Sequence, residues 1–201
     1  MDAEQLSPRQ KQAIKTRQKL LDAGLKVFLE QGFQKTTISQ IIKEAKTGYG
    51  TAYVYFQNKD EIFIELMEHV MKTFYEVADL PFEPSTKEEA FQMIQRQVQL
   101  FLELGIKERQ MMKVMKEAIG CSAVVEQKWI KIRDRFIQSI TKDVQHVQEK
   151  GLAKPALNPT LVARTWFYAN EMFMWELVEK ENFTIDEIVY HLTSLYTGGL
   201  Y

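Results

Sequence analysis

Residues Thr36 to Phe63, TTISQIIKEAKTGYGTAYVYFQNKDEIF, constrain the fold of this chain more than any other stretch, because two very short helical patterns flank a three-residue break. Thr37 is placed to cap the first, with Gln40 three residues on, and Ile38, Ile41, Ile42 and Ala45 then recur at i, i+3, i+4 and i+7, so one face is buried. Lys46, Thr47 and Gly48 interrupt the pattern, and Gly48 is the residue free to take a positive φ in a tight turn. Tyr49 to Tyr55 has room for only two turns. Helices this short have no stability of their own, since nucleation costs more than so few hydrogen bonds return, and both must be pinned between neighbours. Two of them around a tight turn, leading into a longer helix, make the layout of a helix-turn-helix. The second, held outward with Tyr49, Thr51, Tyr53 and Tyr55 on it, offers hydroxyls to phosphates and base edges.

This segment resembles the DNA-binding domain of the tetracycline-repressor (TetR) family, whose pattern runs T, two residues, I-A, then A-G-V-S, one residue, G-T-L-Y, one residue, Y-F, two residues, K-E. Thr37, Ile41, Ala45, Gly50, Thr51, Tyr53, Tyr55, Phe56, Lys59 and Asp60 match in identity or type and keep their spacing. Thr16, Arg17, Leu20, Leu21, Ala23, Phe28 and Gly32 extend the match back through the family's first helix. Four positions depart from it: Ile42 replaces a small residue, Lys46 the turn glycine, Gly48 the N-cap serine and Ala52 a larger apolar residue. The resemblance implies an all-α protein with an N-terminal three-helix DNA-binding domain over residues 1–58 and a helical effector-binding and dimerisation domain over residues 59–201. It implies that Thr37, Tyr55 and Lys59 hold phosphates while Tyr49 approaches bases, with Arg17, Lys46, Gly48, Gly50, Thr51 and Tyr53 completing the DNA-facing set. It also implies a homodimer on double-stranded, near-palindromic operator DNA, released when a small-molecule effector displaces the helix that begins at Lys59.

Charge is distributed accordingly. The net charge of −1 conceals an asymmetry: Arg9 to Lys59 holds ten Lys and Arg against Asp22, Glu30 and Glu44, a net +7, whereas residues 61–201 sum to −5. The charge needed to meet a polyanion is confined to the N-terminal quarter. Arg9, Lys11, Lys15 and Arg17 read either as a basic arm reaching a minor groove or as a solvated face. The single cysteine, Cys121, excludes an internal disulfide framework, fits a reducing compartment and reads as a small buried hydrophobe. With no leader-like N-terminal pattern and no uncharged run of the ~18 residues a span requires, the expectation is a soluble cytoplasmic protein without a membrane partner.

The rest of the chain reads as helices. Ser7, Pro8 and Gln10 suit N-cap, N1 and N3 of a first helix, closed by Gly32 in a Schellman ending with Phe33 packed on Phe28. Asn58 and Glu61 cap a helix from Lys59 to about Asp79, and Pro81 and Pro84 break the pattern. Thr86 and Glu89 open a helix up to Gly105; a shorter one runs from about Lys107 to Ile119, ahead of Gly120. The next spans Ser122 to Lys150, stopped by Gly151; Asn158 with Pro159 and Thr184 with Glu187 open the last two, to about Glu181 and Tyr196. That makes about nine helices and no strand of convincing period.

Trp166 to Trp175, WFYANEMFMW, is apolar nearly all round and must be covered on more than one side. The resemblance makes the last two helices a dimer interface, with Trp166, Phe173, Trp175 and Leu195 in it. Asn170 and Glu171 lie inside the stretch and need a partner: a ligand group, an arginine or water. Phe91, Phe101, Met111, Met115, Trp129 and Phe136, with Asn170 and Glu171, either line a pocket for an apolar effector or are plain core; helical spacing alone fits both. His69, His146 and His191 are isolated from one another, so no metal is expected, and no phosphate-binding loop, nucleophile elbow or dinucleotide fingerprint implies a cofactor or catalysis. Two rivals stand beside this reading: a small all-α enzyme using Glu171, Glu176 and a histidine, and a constitutive DNA-binding module whose larger domain only dimerises or docks a protein.

Overall fold

A computed structural model describes residues 7–180 and 182–201. Among them the regular structure is entirely helical: α1 Pro8–Lys35, α2 Ile38–Glu44, α3 Tyr49–Tyr55, α4 Lys59–Ala78, α5 Lys87–Lys107, α6 Arg109–Cys121, α7 Ala123–Glu149, α8 Pro159–Glu179 and α9 Ile185–Leu200. Local side-chain chemistry sets most of the starts. Ser7 with Gln10, Thr37 with Gln40 and Thr184 with Glu187 form reciprocal capping boxes, each worth about 1 kcal/mol to its helix. Asn58 Oδ1 accepts from the Glu61 amide at 3.0 Å, Thr86 Oγ1 from that of Glu89 at 3.1 Å, and Asn158 Oδ1 from those of Thr160 and Leu161.

The ends depart from expectation where distant residues intervene. α1 does not finish in a Schellman turn: Gly32 has φ 81° and ψ 173°, a region essentially reserved for glycine, and the helix resumes through Lys35. The Phe28 and Phe33 rings do stack, at 5.7 Å. Gly105 lies inside α5 instead of ending it, because a Cβ there would sit 2.8 Å from Met174 Cγ, so close packing is what the glycine serves. α9 continues past Tyr196 through Gly198 and Gly199, since Lys154 Nζ and N donate to the carbonyls of Gly199 and Leu200 and Lys87 Nζ to that of Tyr201, satisfying the helix end. In the α2–α3 turn the positive φ belongs to Lys46 (50°), not to Gly48, which caps α3 with extended backbone (φ −69°, ψ 142°) and no side-chain bond. The basic residues from Arg9 to Arg17 stand on the first turns of α1. Cys121 is exposed, its thiol donating to the Glu117 carbonyl at 3.0 Å, and is not the buried hydrophobe expected.

The described residues form two compact units. One comprises the chain up to His69 with Val114–Lys128; the other, Val70–Lys113 with Trp129–Tyr201. The first is built around the Phe28, Phe33 and Phe63 rings, Phe63 meeting each of the others edge-on at 4.9 Å, with Leu20, Ile41, Ile42, Ile62 and Met67 fully buried around them. Ile42, larger than the residue it replaces in the family pattern, is thus absorbed into the core. In the second unit α8 packs on α5 and α9. Its centre holds a polar knot: the buried Glu171 carboxylate accepts from Trp129 Nε1 at 2.7 Å, Arg133 Nε at 2.9 Å and Trp175 Nε1 at 3.4 Å. Paired and hydrogen-bonded, the charge can be tolerated in the interior.

Gly32→Ala is expected to destabilise the protein by about 1–3 kcal/mol from backbone strain, with a further loss because the new Cβ would lie 2.6 Å from Glu117 Oε2. Gly151→Ala, also at a positive φ (71°) but with nothing within 4 Å, incurs the strain alone. Urea unfolding of both variants checks this; equal losses would contradict the close contact at Gly32.

Candidate functional site

α3 is the most outward-facing helix of the first unit. Ala52 is its buried contact, while Gly50, Thr51, Tyr53 and Val54 are exposed and Tyr49 is 55% exposed. The hydroxyls of Tyr49, Thr51 and Tyr53 make no hydrogen bond within the described residues, so they are free for a partner. A Cβ on Gly50 would meet nothing within 4 Å. A glycine inside a helix costs about 1 kcal/mol relative to alanine, and nothing in this chain requires one there. Val54, 76% exposed, lies on the same helix and was not singled out by the sequence; its exposure is visible only once Ala52 is known to be the buried side.

The other members of the expected DNA-facing set are placed differently from one another. Thr37 is exposed, but its hydroxyl is engaged in the α2 capping box, accepting from the Gln40 amide. Tyr55 is half-buried at the end of α3, and Lys46 is exposed in the α2–α3 turn. Arg17 forms a bidentate pair with Glu65 and stands over the Phe56 ring at 5.1 Å. Lys59 points inward: its Nζ donates to the Phe33 carbonyl at 2.6 Å and the Gln34 carbonyl at 3.3 Å, and lies 4.3 Å from the centre of the Phe33 ring. Its job here is to hold the α1–α2 junction.

Glu117 of α6 completes that junction. Its carboxylate accepts from the amides of Phe33 at 3.0 Å and Gln34 at 2.9 Å. Amides and carbonyls of the same two residues are therefore held from α6 and α4 respectively, and the Thr36 hydroxyl closes on the Gly32 carbonyl at 2.6 Å. Ser122 and Asp60, and Lys128 and Glu68, add polar links within this unit. Sequence reasoning did not find Glu117, which stands in no motif.

Within the second unit lies a cavity of about 70 Å³, lined by Val77, Ala78, Ile94, Gln97, Val98, Phe101, Phe136, Ile140, Asp143, Trp166, Phe167 and Asn170. A smaller space of about 30 Å³ shares Ile94, Gln97, Ile140, Asp143 and Trp166 with it and extends to Tyr196 and Tyr201. Of the residues expected to line a pocket, Phe101, Phe136 and Asn170 meet at this cavity. Glu171 and Trp129 are occupied in the polar knot, Met111 and Met115 are buried away from it, and Phe91 borders a shallow outer groove. Trp166 lines the cavity and stacks on Tyr196 at 4.1 Å, while Trp175 packs on Trp129 at 5.6 Å. Phe173 is half-buried and Leu195 is 77% exposed. Asp143, which the sequence did not single out, is the one carboxylate in the lining, and burial pushes its carboxyl from 3.8 up to about 7. Among the described residues no three His, Cys, Asp or Glu side chains group as a metal would need, and no helix is long and apolar enough to cross a membrane.

Residues 20–66 match the family model described as bacterial regulatory proteins, tetR family. Over 167 residues the chain is 28% identical to the uncharacterised HTH-type transcriptional regulator YhgD of Bacillus subtilis (strain 168), spanning 82% of this chain and 86% of that one. A solved structure of a protein from Syntrophomonas wolfei str. Goettingen assigned to the TetR family superposes with a TM-score of 0.74 at 22% identity, over 93% of this chain and 97% of that one. The SmeT–triclosan complex superposes with a TM-score of 0.70 at 18% identity, over 92% and 90%. Both share the all-helical fold.

The half-buried Asp143 gives a pH signature. In the unfolded chain it ionises near the usual ~4, so between about pH 4 and pH 7 the folded state keeps a proton that the unfolded state has lost, and stability falls as the pH rises through that window. Asp143→Asn removes the effect. Its Tm should differ little from that of the parent at pH 4 and exceed it increasingly up to about pH 7; a gain independent of pH would contradict the burial of the carboxylate.

Proposed function

We propose, for a chain that belongs to the tetR family of bacterial regulatory proteins, that it acts as a ligand-responsive repressor, a cytoplasmic homodimer that sets one α3 per subunit into successive major grooves of a near-palindromic operator. Transcription regulation through the helix-turn-helix is common to the family; the dimer, the repression and the effector are our reading. The observation that carries it is the state of α3, a two-turn helix that holds the hydroxyls of Tyr49, Thr51 and Tyr53 outward without internal partners and keeps a glycine, Gly50, where its own fold has room for a side chain. Backbone that close to the surface can approach a phosphate or base edge. Thr37, Gly48, Lys46 and Tyr55 flank it. Arg17 and Lys59 act from behind: by fixing Glu65 and the α1–α2 junction they hold the reading helix at its angle, and any phosphate contact they make is shared with those partners.

The dimer is supported by α8 and α9, which leave Leu161, Tyr168, Met172, Tyr190 and Leu195 exposed, an apolar surface typical of an interface. Phe173, Trp166 and Trp175 stiffen the same helices from within. The effector reading is supported by the cavity with its unpaired Asn170 oxygen and by a structural relative solved with triclosan bound. At about 70 Å³ the cavity is well below the ~300 Å³ or more of ordinary ligand sites. An effector therefore has to widen it, and that displacement of the walls is the source of coupling, on the order of 1–3 kcal/mol between effector and DNA. The small cavity is also what favours the rival in which this domain only dimerises; that rival expects operator affinity to be insensitive to every small molecule.

Gly50→Ala separates fold from recognition. It should raise stability by about 0.5–1 kcal/mol through helix propensity yet weaken operator binding at least tenfold in a fluorescence-anisotropy titration, while Tyr49→Ala loses discrimination between operator and random duplex. Affinity of the parent should fall steeply with salt, as phosphate neutralisation requires. Gly50→Ala binding as tightly as the parent would remove α3 from the interface.

A further inference from the structure

Resting on that reading, we infer that the cavity selects an amphipathic amine: a molecule with an aromatic or branched apolar body and one protonated nitrogen, seated between Asp143 and Asn170. The apolar part of the lining is largely aromatic. Phe136 stacks on Phe167 at 5.5 Å and meets Phe101 edge-on at 6.1 Å, and Trp166 closes another side. Such walls take flat or branched hydrocarbon and attract a cation through their ring faces.

The polar groups at the cavity decide the head group. Asn170 is 6% exposed; its Nδ2 donates to the Trp166 carbonyl at 2.8 Å, and its Oδ1 is buried with no partner. A buried carbonyl left unpaired costs about 1–3 kcal/mol, so Asn170 Oδ1 asks for a donor. Asp143 lines both adjoining spaces and makes no hydrogen bond or ion pair with any described residue. The buried Tyr201 hydroxyl, in the smaller space, is likewise unpaired. Both spaces lack Lys, Arg and His in their lining. A carboxylate or phosphate ligand would bring a second negative charge beside Asp143 with no cation in the lining of either space to meet it; Lys142 and His146 share with Asp143 only a separate outer groove. A neutral hydrocarbon would leave Asp143 and Asn170 Oδ1 as they are. An ammonium group has three donors and no acceptor, the complement of two oxygen acceptors.

The experiment is isothermal titration calorimetry of the full chain at pH 8, above the value to which burial pushes Asp143, with three matched sets of probes. These are 2-phenylethylamine, 3-phenylpropylamine and 4-phenylbutylamine, the alcohols with OH in place of the ammonium, and the corresponding phenylalkyl carboxylates. The best amine should bind at least tenfold more tightly than its alcohol, with the carboxylate weakest. Asp143→Asn should bring the amine down to the level of the alcohol and leave the alcohol within about twofold. Alcohol or carboxylate binding as tightly as the amine, an undiminished amine preference in Asp143→Asn, or no saturable binding by any amine would each overturn the inference. Operator release is read separately by anisotropy. Amine binding that leaves DNA affinity unchanged would keep the ligand class and remove the effector role, and release by neutral compounds with no amine preference would do the reverse.

Discussion

The kink at Gly32 near the end of α1 is the point on which the DNA-reading half of the molecule depends. Gly32 turns the chain at φ 81° and ψ 173°, which frees the amides of Phe33 and Gln34 from helical partners and exposes their carbonyls. Left unpaired, the two groups of the buried Phe33 would cost about 1–3 kcal/mol each, whereas those of the exposed Gln34 can turn to water. The Glu117 carboxylate takes the amides and the Lys59 ammonium the carbonyls, so the junction is neutralised by one acid and one base from two other helices. Glycine is required by the backbone angle, and a Cβ there would also press on the Glu117 carboxylate that holds these amides. Whatever shifts Glu117 or Lys59 shifts the entry to α2, and with it α3.

α3 is where that positioning is used. Seven residues cannot hold a helix in water, and α3 has one buried residue, Ala52, a cap from Gly48 backbone and a turn strained at Lys46. It keeps its shape because the Phe28, Phe33 and Phe63 cluster and Ile41, Ile42 and Phe56 form a solid floor. Its outer face is left unoccupied, with three unpaired hydroxyls. The same economy governs the second unit. Glu171, the acid that invited a ligand, is already satisfied by Arg133 and two indoles, whereas Asn170 and Asp143, on neighbouring cavity walls, have acceptors to spare.

What the sequence made legible is what is local. The caps at Ser7, Thr37, Asn58, Thr86, Asn158 and Thr184 depend on a residue two or three positions away, and the order of helices followed from them. The fold class and the outward-facing tyrosines came from the spacing of the Thr37–Asp60 motif. What remained hidden lies far along the chain. The Glu117 bond to Phe33 spans 84 residues and the Trp129 bond to Glu171 spans 42, so no window of sequence contains them. The spacing that matched Lys59 to a phosphate contact carried no information about the carbonyl 26 residues away. Asp143 gives no local signal, because a charged residue beside the apolar Ile140, Val144 and Val147 on the same helix reads as solvated.

On the proposed function, the exposed α3 helices of two subunits read a symmetric duplex together. Selection of the full chain against a library of random double-stranded DNA, followed by sequencing of the bound fraction, tests it most directly. The expected outcome is enrichment of one short motif present as two inverted copies whose centres lie about one helical turn, ~34 Å, apart. Enrichment of a single unrepeated site, or of no sequence above the starting library, would contradict it.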